Sequence, residues 1–127
     1  MKKTLLIVDD SSDVTLTIKS SLDEDNGDYK VVIAESGEEC LELLKKNFIP
    51  DAILLDIMLP GIDGLETYEK IRGNDKFSKV PVIFLTARTD QFIIEQGKFL
   101  GDDFIEKPFE IEDVKIRIER AIDRLNS

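Results

Sequence analysis

The sequence has no histidine, a single cysteine and no apolar run approaching the ~20 residues of a membrane span. The lone Cys40 cannot close an internal disulfide, which suits a reducing compartment. It lies beside Leu44 in a helical stripe and reads as a small buried apolar residue rather than a reactive thiol. The start, Met1-Lys2-Lys3, has the basic character of a signal peptide. Its apolar run, Leu5–Val8, stops at Asp9-Asp10, short of the roughly 7–15 residues of a signal core. The chain therefore reads as cytoplasmic. Positive charge is scarce: 17 Lys and Arg stand against 27 Asp and Glu, a net charge of -10. A nucleic-acid backbone or an anionic membrane would repel such a chain. No linker, repeat or low-complexity stretch interrupts it. At 127 residues, 42% apolar and 35% charged, it reads as one folded domain spanning 1–127.

What the sequence does contain is an alternation. Leu5–Val8, Tyr29–Ala34, Ala52–Leu55, Val82–Leu85 and Phe104–Ile105 read as strands. Helices are expected over Ser12–Leu22, Gly37–Phe48, Leu65–Arg72, Thr89–Leu100 and Glu110–Leu125. Their apolar stripes include Val14, Ile18 and Leu22; Cys40, Leu41, Leu44 and Phe48; Leu65, Tyr68 and Ile71. The last helix carries Ile111, Val114, Ile118, Ala121, Ile122 and Leu125 along one side. Three strands are continuously apolar, as strands buried on both faces are. Five β-then-α units predict an α/β fold: a doubly wound, five-stranded parallel sheet with helices on both faces.

Ligands of such sheets bind beyond the carboxyl ends of the strands. Asp9, Asp10, Asp56, Thr86 and Lys107 fall at or just past those ends. Singly, each has a plain reading. Asp9-Asp10 suits a turn and cap, Asp56 a loop acid before Pro60-Gly61, Thr86 a strand residue or cap, and Lys107 a solvated lysine. Together they form a divalent-metal and phosphoryl site. Three close carboxylates raise one another's pKa, and a hard cation such as Mg²⁺ relieves them. An ammonium and a hydroxyl opposite would hold phosphoryl oxygens. A carboxylate there can act as nucleophile and form an aspartyl phosphate.

The motifs Ile7-Val8-Asp9-Asp10, Leu54-Leu55-Asp56-Ile57-Met58-Leu59-Pro60-Gly61-Ile62-Asp63-Gly64, Phe84-Leu85-Thr86-Ala87 and Asp102-Asp103-Phe104-Ile105-Glu106-Lys107-Pro108-Phe109 follow in that order. They span nearly the whole chain, which in these motifs resembles the receiver domains of two-component response regulators, of flavodoxin-like fold. The resemblance implies that Asp56 accepts the phosphoryl group. Asp10 would bind Mg²⁺, or Mn²⁺ in its place, directly. Asp9 would assist through water, and the Met58 backbone carbonyl would be a further ligand. Thr86, Ala87 and Lys107 would bind the phosphoryl oxygens. Phe104 would be the switch aromatic, turning inward as Thr86 moves. The Lys107-Pro108 bond is often cis in this family, and an X-Pro bond admits that isomer. Without histidine the chain cannot carry the phosphohistidine donor. A histidine kinase, a histidine phosphotransfer protein or a small phosphodonor must supply the group. The output partner or domain is not named by the sequence, and the chain fits either a stand-alone receiver or one part of a longer regulator.

Two other readings compete. A Mg²⁺-dependent phosphohydrolase with an aspartyl nucleophile needs an acid two residues later, where this chain has Met58. A phosphorylation-independent interaction module need not keep all five groups. A flavodoxin-type cofactor protein lacks support, since no Ser/Thr/Gly-rich phosphate loop follows the first strand. One departure from the family is a stretch between Thr86 and Lys107 one residue short, expected to alter the fourth helix or its loop. Phe92, Ile93 and Ile94 are consecutive there and cannot share one core stripe, and Ile116 lies off the apolar side of the last helix. They suggest a partner or homodimer face on the fourth and fifth helices, against the plain reading of scattered surface apolars.

Overall fold

The apolar runs become the strands of one sheet because their side chains are buried on both faces. β2 keeps its expected bounds, and each of the other strands runs a residue or two beyond its apolar run. β1 is Lys3–Val8, β2 Tyr29–Ala34, β3 Ala52–Asp56, β4 Val82–Thr86 and β5 Asp103–Glu106. The helices are α1 (Ser12–Asp23), α2 (Gly37–Lys45), α3 (Gly64–Arg72) and α4 (Ile111–Asn126), with a 3₁₀ turn at Asp75–Phe77. This computed structural model describes residues 2–23, 27–87 and 103–126, apart from the side chains at 23, 125 and 126. The helix expected over Thr89–Leu100, with Phe92, Ile93 and Ile94, lies outside the described residues, as does the shortened stretch.

All neighbouring strands are parallel, in the order β2-β1-β3-β4-β5. The chain leaves β1 for one side and returns to its other side at β3. The topological switch point is therefore the crevice between β1 and β3, with Asp9 and Asp56 at its lip.

Alternation along the strands sends side chains to two cores. Leu5, Ile7, Leu54, Ile83 and Leu85 pack with Ile18 and Leu22 of α1 and Val114, Ile118 and Ile122 of α4. Leu6, Val8, Ile53, Leu55, Val82 and Phe84 pack with Cys40 and Leu44 of α2 and Tyr68 and Ile71 of α3. Cys40 is fully buried and its thiol is pushed up to about 12 by burial, so it is inert packing.

One helix is shorter than its periodicity predicts. α2 stops at Lys45 instead of running to Phe48. Asn47 is left-handed, with φ 60°, and Ile49 precedes Pro50, which disfavours helical backbone. Phe48 still packs on the second core, from the loop rather than from the helix.

Candidate functional site

Each acid is placed by a strand end. Asp9 follows β1, and its N–H extends the β1–β2 ladder by donating to the Ala34 carbonyl at 3.1 Å. Its side chain is buried. Oδ1 accepts from the Ser11 N–H at 2.9 Å and Oδ2 from Lys107 Nζ at 2.9 Å. Asp56 is the last residue of β3 and 6% exposed. Its Oδ1 accepts from the Met58 N–H at 3.2 Å and its Oδ2 from Lys107 Nζ at 3.3 Å. Asp10, next in the chain, is exposed. One oxygen from each of Asp9, Asp10 and Asp56 lies within 4.8 Å of the others. This all-oxygen set fits a hard divalent cation.

Lys107 follows β5 across a cis peptide to Pro108, the isomer the resemblance implies. Its backbone N–H donates to the Thr86 carbonyl, so the last turn of the β4–β5 pairing fixes where the lysine starts. The ammonium bridges Asp9 and Asp56.

The electrostatics follow from this crowding. Burial, reinforced by the charge of Asp9, raises the Asp56 carboxyl from 3.8 to about 6. The Lys107 charge and the hydrogen bonds from Met58 and Lys107 pull the other way but do not cancel it. Burial alone would lower the Lys107 ammonium. Its hydrogen bond to Asp9 and the charges of both acids outweigh that and hold it above its ordinary value.

Thr86 is buried at the end of β4, one step past the Asp56–Leu85 register pair. Its hydroxyl donates to the Ile105 carbonyl at 3.5 Å, so in this structure it faces β5 rather than the carboxylates. Ala87 follows, half-buried. Phe104 sits opposite Phe84 in the β4–β5 register, with ring centroids 6.0 Å apart and planes 25° from parallel. Phe84 in turn meets Tyr68 of α3 at 5.4 Å. Met58 is exposed beside the acids. The structure thus gathers Asp9, Asp10, Asp56 and Lys107 and leaves Thr86 and Phe104 behind them, on one face of β4 and β5. Ile116, on α4, is 46% exposed.

Sequence reasoning missed how the loop after Asp56 is held. Gly61 is left-handed, φ 74°, and the Glu38 carboxylate accepts from the Ile62 N–H at 3.3 Å. Gly64 lies so close to Ile57 Cα that a Cβ there would approach it to 2.7 Å. The Pro60-Gly61 signal marked the turn, but Glu38 is 24 residues away in sequence and nothing local points to it.

Known proteins share this arrangement. A family model of the response regulator receiver domain matches residues 5–119. The chain is 37% identical over 115 residues to the uncharacterized transcriptional regulatory protein YrkP of Bacillus subtilis, covering 90% of this chain and 47% of that protein. It is 35% identical over 121 residues to the response regulator Rre1 of Synechocystis, covering 94% of this chain and 52% of Rre1. The chain thus spans about half the length of these two relatives. A crystal structure of a putative response regulator from Chloroflexus aurantiacus superposes with a TM-score of 0.84 at 34% identity, covering 97% of this chain and 99% of that one. With the family model covering residues 5–119 and relatives more than 30% identical along nearly its whole length, the chain belongs to the response regulator receiver family, the phosphoacceptor domains of two-component signalling.

Proposed function

We propose that Asp56 is the phosphoacceptor and that its phosphorylation drives a conformational switch. One observation carries this reading: Asp56 ends β3 among the clustered acids with its carboxyl raised to about 6 by burial and by the Asp9 charge, and with one oxygen bonded to Lys107. A carboxylate oxygen of Asp56 attacks the phosphorus of a phosphohistidine on a kinase or phosphotransfer protein. The P–O bond forms, the P–N bond breaks, and the imidazole nitrogen keeps the electron pair. Lys107, bonded to Asp56, would hold the transferred oxygens, and Thr86 would turn from the Ile105 carbonyl to join it with the Ala87 backbone.

Asp10, Asp56 and the Met58 carbonyl would hold Mg²⁺, or Mn²⁺ in its place, with Asp9 acting through water. When bound, the cation neutralises charge on the acids and on the incoming oxygens. Asp9 suits an indirect role because its side chain is the most deeply buried of the three acids. Asp10 suits a direct one because it is exposed at the rim.

The donor needs a surface to dock on. Val14, Thr17, Pro108 and Phe109 line an open apolar groove next to Lys107. We read the chain as a cytoplasmic switch. It catalyses its own phosphorylation and dephosphorylation and controls an output partner or domain through Thr86 and Phe104.

The decisive experiment is labelling by a small phosphodonor with Mg²⁺ present. The wild-type chain incorporates one phosphoryl group, and Asp56→Asn incorporates none while keeping its fold by circular dichroism. Labelling that survives this substitution overturns the assignment.

A further inference from the structure

The end of the molecule opposite Asp56 carries charge of the other sign. Residues 44–50 lead into β3 and residues 70–81 into β4, so both lie at the amino-terminal edge of the sheet. They hold six of the 17 basic residues (Lys45, Lys46, Lys70, Arg72, Lys76, Lys79) and one of the 27 acids, Asp75. Asp51 and Glu69 adjoin these segments and Arg72 is turned onto the Phe77 and Val80 carbonyls, so the local excess of positive charge rests on the lysines. Between α2 and α3, at this edge, lies a groove of about 270 Å³. Leu41, Leu44, Ile71 and Phe77 form its apolar lining, and Lys45 and Lys70 come from its two sides. Ile49, 56% exposed, lies in the same 44–50 segment.

The plain explanation is that Lys45, Lys70 and Arg72 complement the carboxyl ends of their helices. That accounts for these three cations. Lys76, beyond the ends of both helices, donates to Asn47 Oδ1 at 3.2 Å and so ties the two segments together. Neither role accounts for Lys79 or for an apolar groove flanked by charge from both sides. Lys45 has a partner in Glu42 at 3.4 Å, but both side chains are well exposed, so the pair is weak and exchangeable.

We propose that this groove receives an acidic amphipathic helix of a partner protein. An apolar side chain of that helix packs on the partly buried Leu41, above the core residues Leu44 and Phe77, and flanking Asp or Glu residues meet Lys45 and Lys70. Two packed helices with an apolar seam and a charged rim suit the helix-in-groove mode of recognition. Complementary rim charge adds rate and selectivity, the more so because the rest of the surface repels an acidic segment. A nucleic acid would use the lysines but not the apolar seam, and the net charge opposes it.

Selection of helical peptides from a displayed random library on the intact protein tests this, followed by fluorescence anisotropy of the enriched sequences. Enriched peptides are expected to place Leu, Ile or Phe among Asp and Glu. The double substitution Lys45→Glu/Lys70→Glu should weaken their binding by about tenfold or more. Lys45→Gln/Lys70→Gln should give a smaller loss. Arg120→Glu, on α4 and the opposite face of the sheet, should give none. The substituted positions are helix-surface sites, and circular dichroism checks that the fold is kept. Enriched peptides indifferent to the charge reversal, enrichment of basic sequences, or no saturable binder would overturn the proposal. Duplex DNA that binds the wild-type chain and is released by the same reversal would overturn it in favour of nucleic acid.

Discussion

Burial and the Asp9 charge set what Asp56 can do and when. Its carboxyl titrates at about 6 in the folded chain against 3.8 ordinarily. Between those values the folded state keeps a proton that the unfolded chain has released. The contribution to stability is therefore full below about pH 4 and is lost as pH rises through about 6, by about 3 kcal/mol at most. A divalent cation relieves that cost only where Asp56 is ionised. Mg²⁺ should accordingly raise the unfolding temperature clearly at about pH 7.5 and much less at about pH 5. Equal shifts at both pH values in a thermal melt would refute the role of Asp56. Met58 bears on the reverse reaction. Its exposed thioether stands beside the acids and offers no strong hydrogen bond to orient an attacking water. The phosphorylated chain should lose its label slowly, and Met58→Asn should lose it several-fold faster in a decay assay. Fast loss in the wild type that the substitution leaves unchanged would count against this. The four groups that the structure gathers, Asp9, Asp10, Asp56 and Lys107, were legible in sequence because each stands just past an apolar run. Their pairing was not: that Lys107 reaches both Asp9 and Asp56, while Thr86 faces Ile105, depends on side-chain direction at the strand ends.

The second and third helices are fixed at their starts by local chemistry. Ser36 Oγ accepts from the Glu39 N–H at 3.0 Å, and Glu39 reaches back to the Glu35 N–H at 3.2 Å. Asp63 accepts from the Glu66 N–H at 2.8 Å and so caps α3. Asp63→Ala should cost about 1 kcal/mol in denaturant unfolding while leaving labelling of Asp56 close to normal. Gly64→Ala is a different case. Its Cβ would press on the Asp56 carbonyl and Ile57, so the loop after Asp56 must shift. Labelling should slow together with stability, and an undisturbed labelling rate would show that this loop tolerates displacement. Helical periodicity found these elements and their buried faces. It placed the end of α2 too late because Phe48 continues the apolar stripe although Asn47 has already left the helix. Period and backbone conformation are separate signals, and only the second decides where a helix stops.

Across the whole molecule, the net charge of -10 loads the folded state with self-repulsion. Added NaCl should therefore raise the unfolding temperature of the wild type and of Asp56→Asn alike, through screening. The further increment from Mg²⁺ should be strongly reduced in Asp56→Asn, because that increment belongs to the cluster and not to the general field. An Mg²⁺ effect equal in the two proteins would make it mere screening. The sequence by itself determined the strand and helix succession, the parallel doubly wound class and the five polar groups at the strand ends. These depend on short-range pattern: apolar runs, a 3.6-residue period, and polar residues at run ends. Only the tertiary structure decided the rest. It set the strand order that puts Asp9 and Asp56 at one switch point, the burial that moves Asp56 to about 6, and the gathering of Lys45 and Lys70 around one groove. Each of these depends on which distant segments become neighbours. Register and packing settle that, and no local pattern encodes it.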